Sequence, residues 1–206
     1  MNIAVLVYGR LNKCAEHYDN IVNSIGISHN IDFFLSSDNS SESLLNDFIR
    51  LYKPKMYNND SIHHNYNLGK YPGTRQETNI PNMICHFINK NRVYLLFEEY
   101  INKNNIQYDC IISLRIDCVF QNNFVFDNLT ENTIYIPSGN DWVENAINDQ
   151  IAYGKIDVMK KYNCMDFIYL LENQLSIPHP ESLNLANIKF NKLLIERIPI
   201  NYFIDK

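Results

Sequence analysis

Residues 3–8, Ile3-Ala4-Val5-Leu6-Val7-Tyr8, are apolar almost without interruption. That is the pattern of a strand covered on both faces. Gly9-Arg10 ends the run. Residues 12–25 then place Cys14, Tyr18, Ile21, Val22 and Ile25 at helical spacing, and Gly26 closes the stretch. Ile31-Asp32-Phe33-Phe34-Leu35 reads as a second strand. After the polar loop 36–41, residues 43–52 read as a second helix. Strand–helix–strand–helix over the first fifty residues predicts an α/β domain with a mainly parallel sheet. Residues 53–75 carry Pro54, Gly69, Pro72 and Gly73 among polar residues and read as a long loop of the kind that is often functional. From 80 or 81 to about 103 an amphipathic helix is expected, with Ile84, Phe87, Ile88, Val93, Leu96, Phe97 and Tyr100 as its apolar face and Pro81 in its first turn.

The next run, Tyr108-Asp109-Cys110-Ile111-Ile112-Ser113-Leu114-Arg115-Ile116-Asp117, is a buried strand over 109–116 that ends on a cation and a carboxylate two residues apart. Side chains at i and i+2 on a strand share a face, and charges set against an apolar run are costly to bury without a partner. A phosphate, a divalent metal or a structural ion pair would each account for them. Residues 120–126 suggest a short extension, and 133–137 another strand. A loop then leads through Trp142 to Asn148-Asp149-Gln150, ahead of Ile151-Ala152-Tyr153-Gly154. Residues 155–175 read as mostly helical and His179-Pro180-Glu181 as a turn into a helix over 181–193. The tail 194–204 has strand character. Neither an internal repeat nor a linker divides the chain, so one domain over 1–206 is expected.

Composition narrows the function classes. The 206 residues are 46% apolar and 20% charged, as in globular proteins. A net charge of −5 lacks the Lys/Arg footprint that a nucleic-acid surface needs. No apolar run approaches the ~20 residues of a membrane-spanning helix, and the N-terminus lacks the basic start of a signal peptide. Five cysteines (Cys14, Cys85, Cys110, Cys118, Cys164), odd in number and without a C-x-x-C pair, point to a reducing, cytoplasmic compartment. His63, His64 and His86 read as loop or core histidines, because no metal-ligand spacing such as H-E-x-x-H is present.

Candidate chemistry collects at strand ends. Gly9-Arg10 follows the first strand, where ligands of open α/β sheets bind. Glycine admits a ligand close to the backbone, and an arginine can grip a diphosphate bidentately. An ordinary turn explains the pair equally well. There is no G-x-G-x-x-G and no G-x-x-x-x-G-K-[ST], so dinucleotide and P-loop readings lose their main support. Asp117 would suit Mg²⁺ or Mn²⁺ as a hard oxygen ligand. Asp149 is either a general base or, with Asn148, a helix N-cap. Capping alone accounts for much of His179-Pro180-Glu181.

Taken in order, Gly9-Arg10, Tyr108 to Asp117, Asn148 to Gly154 and His179 to Glu181 resemble a family of GT-A type glycosyltransferases of bacteria and large DNA viruses. The resemblance spans nearly the whole chain. It implies a nucleotide-diphospho-sugar transferase domain with a Rossmann-like, mainly parallel sheet, a nucleotide-sugar donor and a glycan or other hydroxyl acceptor. By that resemblance Gly9, Arg10 and Asp38 serve the nucleotide, and Arg115 and Asp117 the diphosphate. Asp149 would be the acceptor-side base of an inverting enzyme, with Trp142, Gln150, His179 and Glu181 on the acceptor side. The family's acidic motif, usually Asp-x-Asp, binds Mn²⁺ or Mg²⁺. Here Arg115 holds its first position, which leaves Asp117 as the single candidate metal ligand there. A nucleotidyltransferase on a similar sheet, or a carbohydrate- or nucleotide-binding module without activity, are the competing readings.

Overall fold

The structure, a computed structural model, describes residues 1–66, 71, 79–139, 141 and 145–205. In chain order the elements are β1 (Asn2–Tyr8), α1 (Cys14–Ile25), β2 (Asn30–Ser36), α2 (Glu42–Tyr52), β3 (Met56–Asn58), α3 (Ile80–Asn104) and β4 (Cys110–Arg115). Then follow β5 (Cys118–Phe120), β6 (Thr133–Pro137), β7 (Ile151–Gly154), α4 (Ile156–Asn163), α5 (Phe167–Glu172), α6 (Pro180–Phe190), β8 (Leu194–Ile198) and β9 (Tyr202–Ile204).

Seven strands form one sheet in the order β3-β2-β1-β4-β7-β6-β8, and β5 pairs with β9 in a separate ribbon. All neighbours in the large sheet are parallel except at β7, which runs antiparallel to both β4 and β6. The mainly parallel α/β architecture expected from the sequence is therefore the observed one.

The unbroken apolar run of β1 has its predicted cause. Ile3, Val5 and Val7 face one core with Ile21 and Ile25 of α1 and Phe48 and Tyr52 of α2. Ala4, Leu6 and Tyr8 face a second core with Val93, Tyr94 and Phe97 of α3 and Met159 and Tyr162 of α4. Each fully buried large side chain contributes roughly 1.5–3 kcal/mol by leaving water. The helices after β1 and β2 lie on one face and α3 lies on the other. The order therefore reverses between β1 and β4, which places a crevice at their carboxyl ends.

Local signals set the helix boundaries. Ser41 accepts a hydrogen bond from the Leu44 amide at the start of α2, and Asn79 accepts from the Asn82 amide at the start of α3. Asn105 ends α3 in the left-handed region, φ 51°.

The structure corrects or refines five expectations. Residues 56–58, read as loop, form the edge strand β3, since pairing to β2 supplies an order that a run of three residues, Met56-Tyr57-Asn58, is too short to announce. Residues 151–154 form β7, too short for a periodicity to register. The helical stretch 155–175 is two helices, divided where Asp166 caps α5 by accepting from the Tyr169 amide. The tail has the expected strand character, split into two strands in different sheets. Neither Asn148 nor Asp149 caps a helix, because β7 follows them.

Candidate functional site

Gly9 leaves β1 with φ 99°, a backbone shape that favours glycine. Its amide is tied to the Ser36 carbonyl at the end of β2, 3.0 Å away. A Cβ there would meet no atom within 4 Å, so the backbone borders open space. That space is a cleft of about 520 Å³ at the carboxyl ends of β1, β2 and β4, within the size range of small-molecule sites. Gly9, Arg10, Asp38, Arg115 and Asp117 all line it. Five residues from three separate stretches of sequence are thus brought together.

Arg115 and Asp117 meet side on. Arg115 Nε donates to Asp117 Oδ1 at 3.1 Å and Nη2 to Oδ2 at 2.5 Å. The structural ion pair weighed from the sequence is therefore formed, inside the cleft. Burial opposes the guanidinium charge, but the Asp117 carboxylate overrides it and raises the Arg115 pKa further. Two of the five guanidinium N–H donors serve Asp117, and among the described residues no other side chain accepts from Arg115. Arg10 is exposed, with Nη2 3.4 Å from Asn82 Oδ1. Asp38 accepts from the Ile62 amide at 2.9 Å.

A third wall was missed in the sequence. Asn82, Cys85, His86 and Asn89 of α3 line the cleft. They recur at i, i+3, i+4 and i+7, so they share one helix face, and Lys90 continues it. The apolar periodicity of α3 masked this polar stripe, which the same period would have revealed. His86, read as a loop or core histidine, lies instead on the cleft wall with its side chain 14% exposed. Its Nε2 is buried, 3.4 Å from Asp149 Oδ2. Burial pushes the His86 pKa down to about 3. Lys90 and Arg115 reinforce this and Asp149 opposes it.

The tail supplies a second surprise. β9 pairs with β5, and the Asp205 amide donates to the Asp117 carbonyl at 2.9 Å, so Asp205 also lines the cleft. Lys13 Nζ donates to Asp205 Oδ1 at 2.5 Å, and His17 Nε2 lies 3.1 Å from Oδ2. These hydrogen bonds lower the Asp205 pKa.

The acceptor-side set divides. Asp149 and Gln150, each 5% exposed, immediately precede β7 and form the floor behind His86 rather than the open wall. Gln150 Nε2 donates to Asp149 Oδ1 at 2.9 Å, and the Tyr202 hydroxyl donates to Gln150 Oε1 at 2.6 Å. His179 occupies the N-cap position of α6, and Glu181 is buried in its first turn. Neither lines the cleft. Trp142 lies outside the described residues.

Under this floor sits Lys90, 1% exposed. Its Nζ lies 3.7 Å from the centre of the Tyr162 ring and 3.4 Å from Asn184 Oδ1. Burial lowers its pKa to about 7, with Asp149 opposing. Asn184 donates in turn to the Asn148 carbonyl and the Tyr162 hydroxyl.

Neither a family model nor a curated protein sequence matches the chain. Among solved structures, the crystal structure of an active-site mutant of LgtC superimposes with a TM-score of 0.51 at 14% identity, over 92% of this chain and 70% of that one. LgtC is a glycosyltransferase of the GT-A type. The fold is GT-A.

A GT-A fold raises the question of a divalent ion, and the described residues do not fit one. Among the described residues no group of three His, Cys, Asp or Glu side chains converges as a metal site. Both oxygens of Asp117, the expected ligand, are engaged by Arg115. Those of Asp205 are engaged by Lys13 and His17. Among the described residues no helix is long and apolar enough to cross a membrane.

Proposed function

We propose that the chain is a glycosyltransferase that moves a sugar from a nucleotide-diphosphate sugar to an acceptor hydroxyl. The observation that carries this reading is the meeting of Gly9, Arg10, Asp38, Arg115 and Asp117 in one cleft at the β1–β4 switch point, where open α/β sheets bind nucleotides. Similarity to a GT-A glycosyltransferase supports it.

The diphosphate enters beside Gly9, whose bare backbone lets it approach. The remaining Arg115 N–H groups and Arg10 take its charge, and Asp38 meets the base or ribose. As the bond from the anomeric carbon to the diphosphate breaks, negative charge grows on the leaving oxygen. Fixed guanidinium donors in a partly water-excluded cleft stabilise it without reorganising. Asp117 holds the Arg115 fork in place for this. An acceptor attacking the face of the anomeric carbon opposite the diphosphate would make the transfer inverting.

A thermal-shift panel of nucleoside diphosphates and nucleotide sugars, run with Mn²⁺ and with a chelator, tests the reading. One nucleotide series at a hundredfold excess over its dissociation constant should stabilise the protein by about 2–3 kcal/mol. Arg115→Ala should abolish the shift. A shift that vanishes with chelator would reinstate a metal. Binding without any sugar transfer would favour a non-catalytic nucleotide-binding module. No shift with any nucleotide would refute the proposal.

A further inference from the structure

We propose that His86 is the catalytic base of this site, taking the acceptor's proton on Nδ1, and that Asp149 is a positioning residue that holds the ring through Nε2. The inference rests on the glycosyl-transfer reading for its acceptor, but the dyad itself stands on four observations of its own.

The first is orientation. Nε2 is the buried nitrogen of His86, turned toward Asp149 Oδ2 at 3.4 Å, while the ring lines the cleft. Nδ1 is thus the nitrogen on the cleft side. A histidine that merely fills a core has both nitrogens satisfied. Among the described residues, neither a backbone carbonyl nor a hydroxyl meets this Nε2.

The second is the fixing of Asp149. Its Oδ1 is taken by Gln150 Nε2, which Tyr202 holds from the other side. The Tyr8 hydroxyl anchors the backbone by donating to the Asp149 carbonyl at 2.7 Å. That leaves Oδ2, which points at His86. A contact of 3.4 Å is long for a hydrogen bond, as catalytic contacts often are before substrate closes the site.

The third is access. Asp149 is 5% exposed and stands behind the cleft wall, so an acceptor in the cleft meets His86 and not Asp149. The fourth is charge. Among the described residues, the groups facing His86 are Asp149 from the segment before β7, Lys90 from its own helix, Arg115 from the end of β4 and the Tyr8 ring from β1, at 5.2 Å and edge to face. Burial, Lys90 and Arg115 keep the free imidazole neutral, which a base requires. A bound diphosphate adds negative charge to the same cleft and raises the affinity of Nδ1 for a proton when it is needed.

The step balances. The acceptor oxygen forms its bond to the anomeric carbon as the bond to the diphosphate oxygen breaks. The electron pair leaves with the nucleoside diphosphate. The acceptor proton moves to Nδ1, and the imidazolium is stabilised by Asp149. Loss of that proton to water in the cleft resets the site.

Two measurements on the full chain test this. Imidazole nitrogen NMR of the unmodified protein should show His86 neutral, with its proton on Nε2, from about pH 8 to below about pH 5. Bound nucleoside diphosphate should raise its pKa. A proton on Nδ1 at neutral pH, or ordinary titration near about 6.5, overturns the dyad. Separately, nucleoside diphosphate release from the nucleotide sugar that binds, with water as acceptor, is followed in His86→Gln and Asp149→Asn beside calorimetric affinity. His86→Gln should slow release by about 100-fold or more, with affinity changed less than about threefold. Asp149→Asn should slow release less and move the NMR proton population toward Nδ1. Undiminished release in His86→Gln overturns the proposal. Failure of the unmodified protein to bind or turn over any nucleotide sugar refutes the transferase reading instead, and the NMR result still decides the dyad.

Discussion

At the rim of the cleft the charged groups neutralise one another, and at its floor they do not. Arg115 and Asp117 share two hydrogen bonds and keep side-chain exposures of 31% and 19%. Lys90 is 1% exposed, and among the described residues no carboxylate lies within ion-pair distance of it. An aromatic face and an amide oxygen stand there instead. The rim pair keeps partial contact with water beside two hydrogen bonds of its own, so a ligand can replace that water without disturbing the pair. The floor depends on every polar partner being in place. The proposed binding surface and the proposed proton-handling unit make these opposite demands, and both border one cleft.

The contrast is broken most severely by Asn184→Ala. The change strips partners from the Lys90 ammonium, the Tyr162 hydroxyl and the Asn148 carbonyl together. Unfolding in urea should show a loss on the order of 2–3 kcal/mol, the cost of buried polar groups left unsatisfied. A loss below about 0.5 kcal/mol would mean that water enters the floor freely.

Lys90→Met sharpens the comparison through pH. The Lys90 value is depressed by burial, from its ordinary 10.5 to about 7. Below about pH 7 both the folded and unfolded chains carry the proton, and the folded chain bears the full cost of the buried charge. Between about 7 and 10.5 the unfolded chain binds the proton more, so this group adds stability as pH rises. Stability of the unmodified protein relative to Lys90→Met should therefore climb between about pH 7.5 and about pH 9.5 by up to about 1.4 kcal/mol per pH unit. A flat difference would show that Lys90 titrates normally.

The smallest structural effect belongs to the rim. Arg10 is exposed, and Arg10→Ala should change stability by no more than about 0.5 kcal/mol. Nucleoside diphosphate affinity should nonetheless fall about tenfold, and the loss should shrink at high salt as screening weakens the wild-type contact. Equal losses at all salt concentrations would remove Arg10 from the diphosphate site.

The same division explains what the sequence disclosed. Rim residues announce themselves locally. Gly9-Arg10 and Arg115-Ile116-Asp117 each follow a strongly apolar strand, and both the carboxyl-end rule and the i, i+2 rule apply within a few residues. The mainly parallel pairing followed from the same strands. Floor residues announce themselves through contacts far apart in sequence. His86 meets Asp149 and Lys90 meets Asn184, and at the rim Asp205 likewise meets Asp117 only after β9 has folded back onto β5. The stripe Asn82, Cys85, His86, Asn89 was available to a period count, but the apolar face of α3 dominates the same window. Asp149 stood out in the sequence as a polar residue ahead of an apolar run. Its placement behind His86 depends on β7, four residues that carry no periodic signal.

The reversed direction of β7 has a consequence for how this cleft is assembled. In a sheet whose strands all ran the same way, the residues leading into a strand would sit about 10–13 Å from those leaving its neighbour, one short strand length away. Because β7 points backward, Leu114 faces Ile151, and the Arg115 amide binds the Gln150 carbonyl at 3.0 Å. The exit of one strand and the entrance of the next thus share a single rung. The proposed diphosphate grip and the proposed proton transfer are bolted to the same pair of peptide groups, so a ligand that tightens one should stiffen the other. Amide exchange at Arg115 and Gln150 should slow together when nucleotide binds.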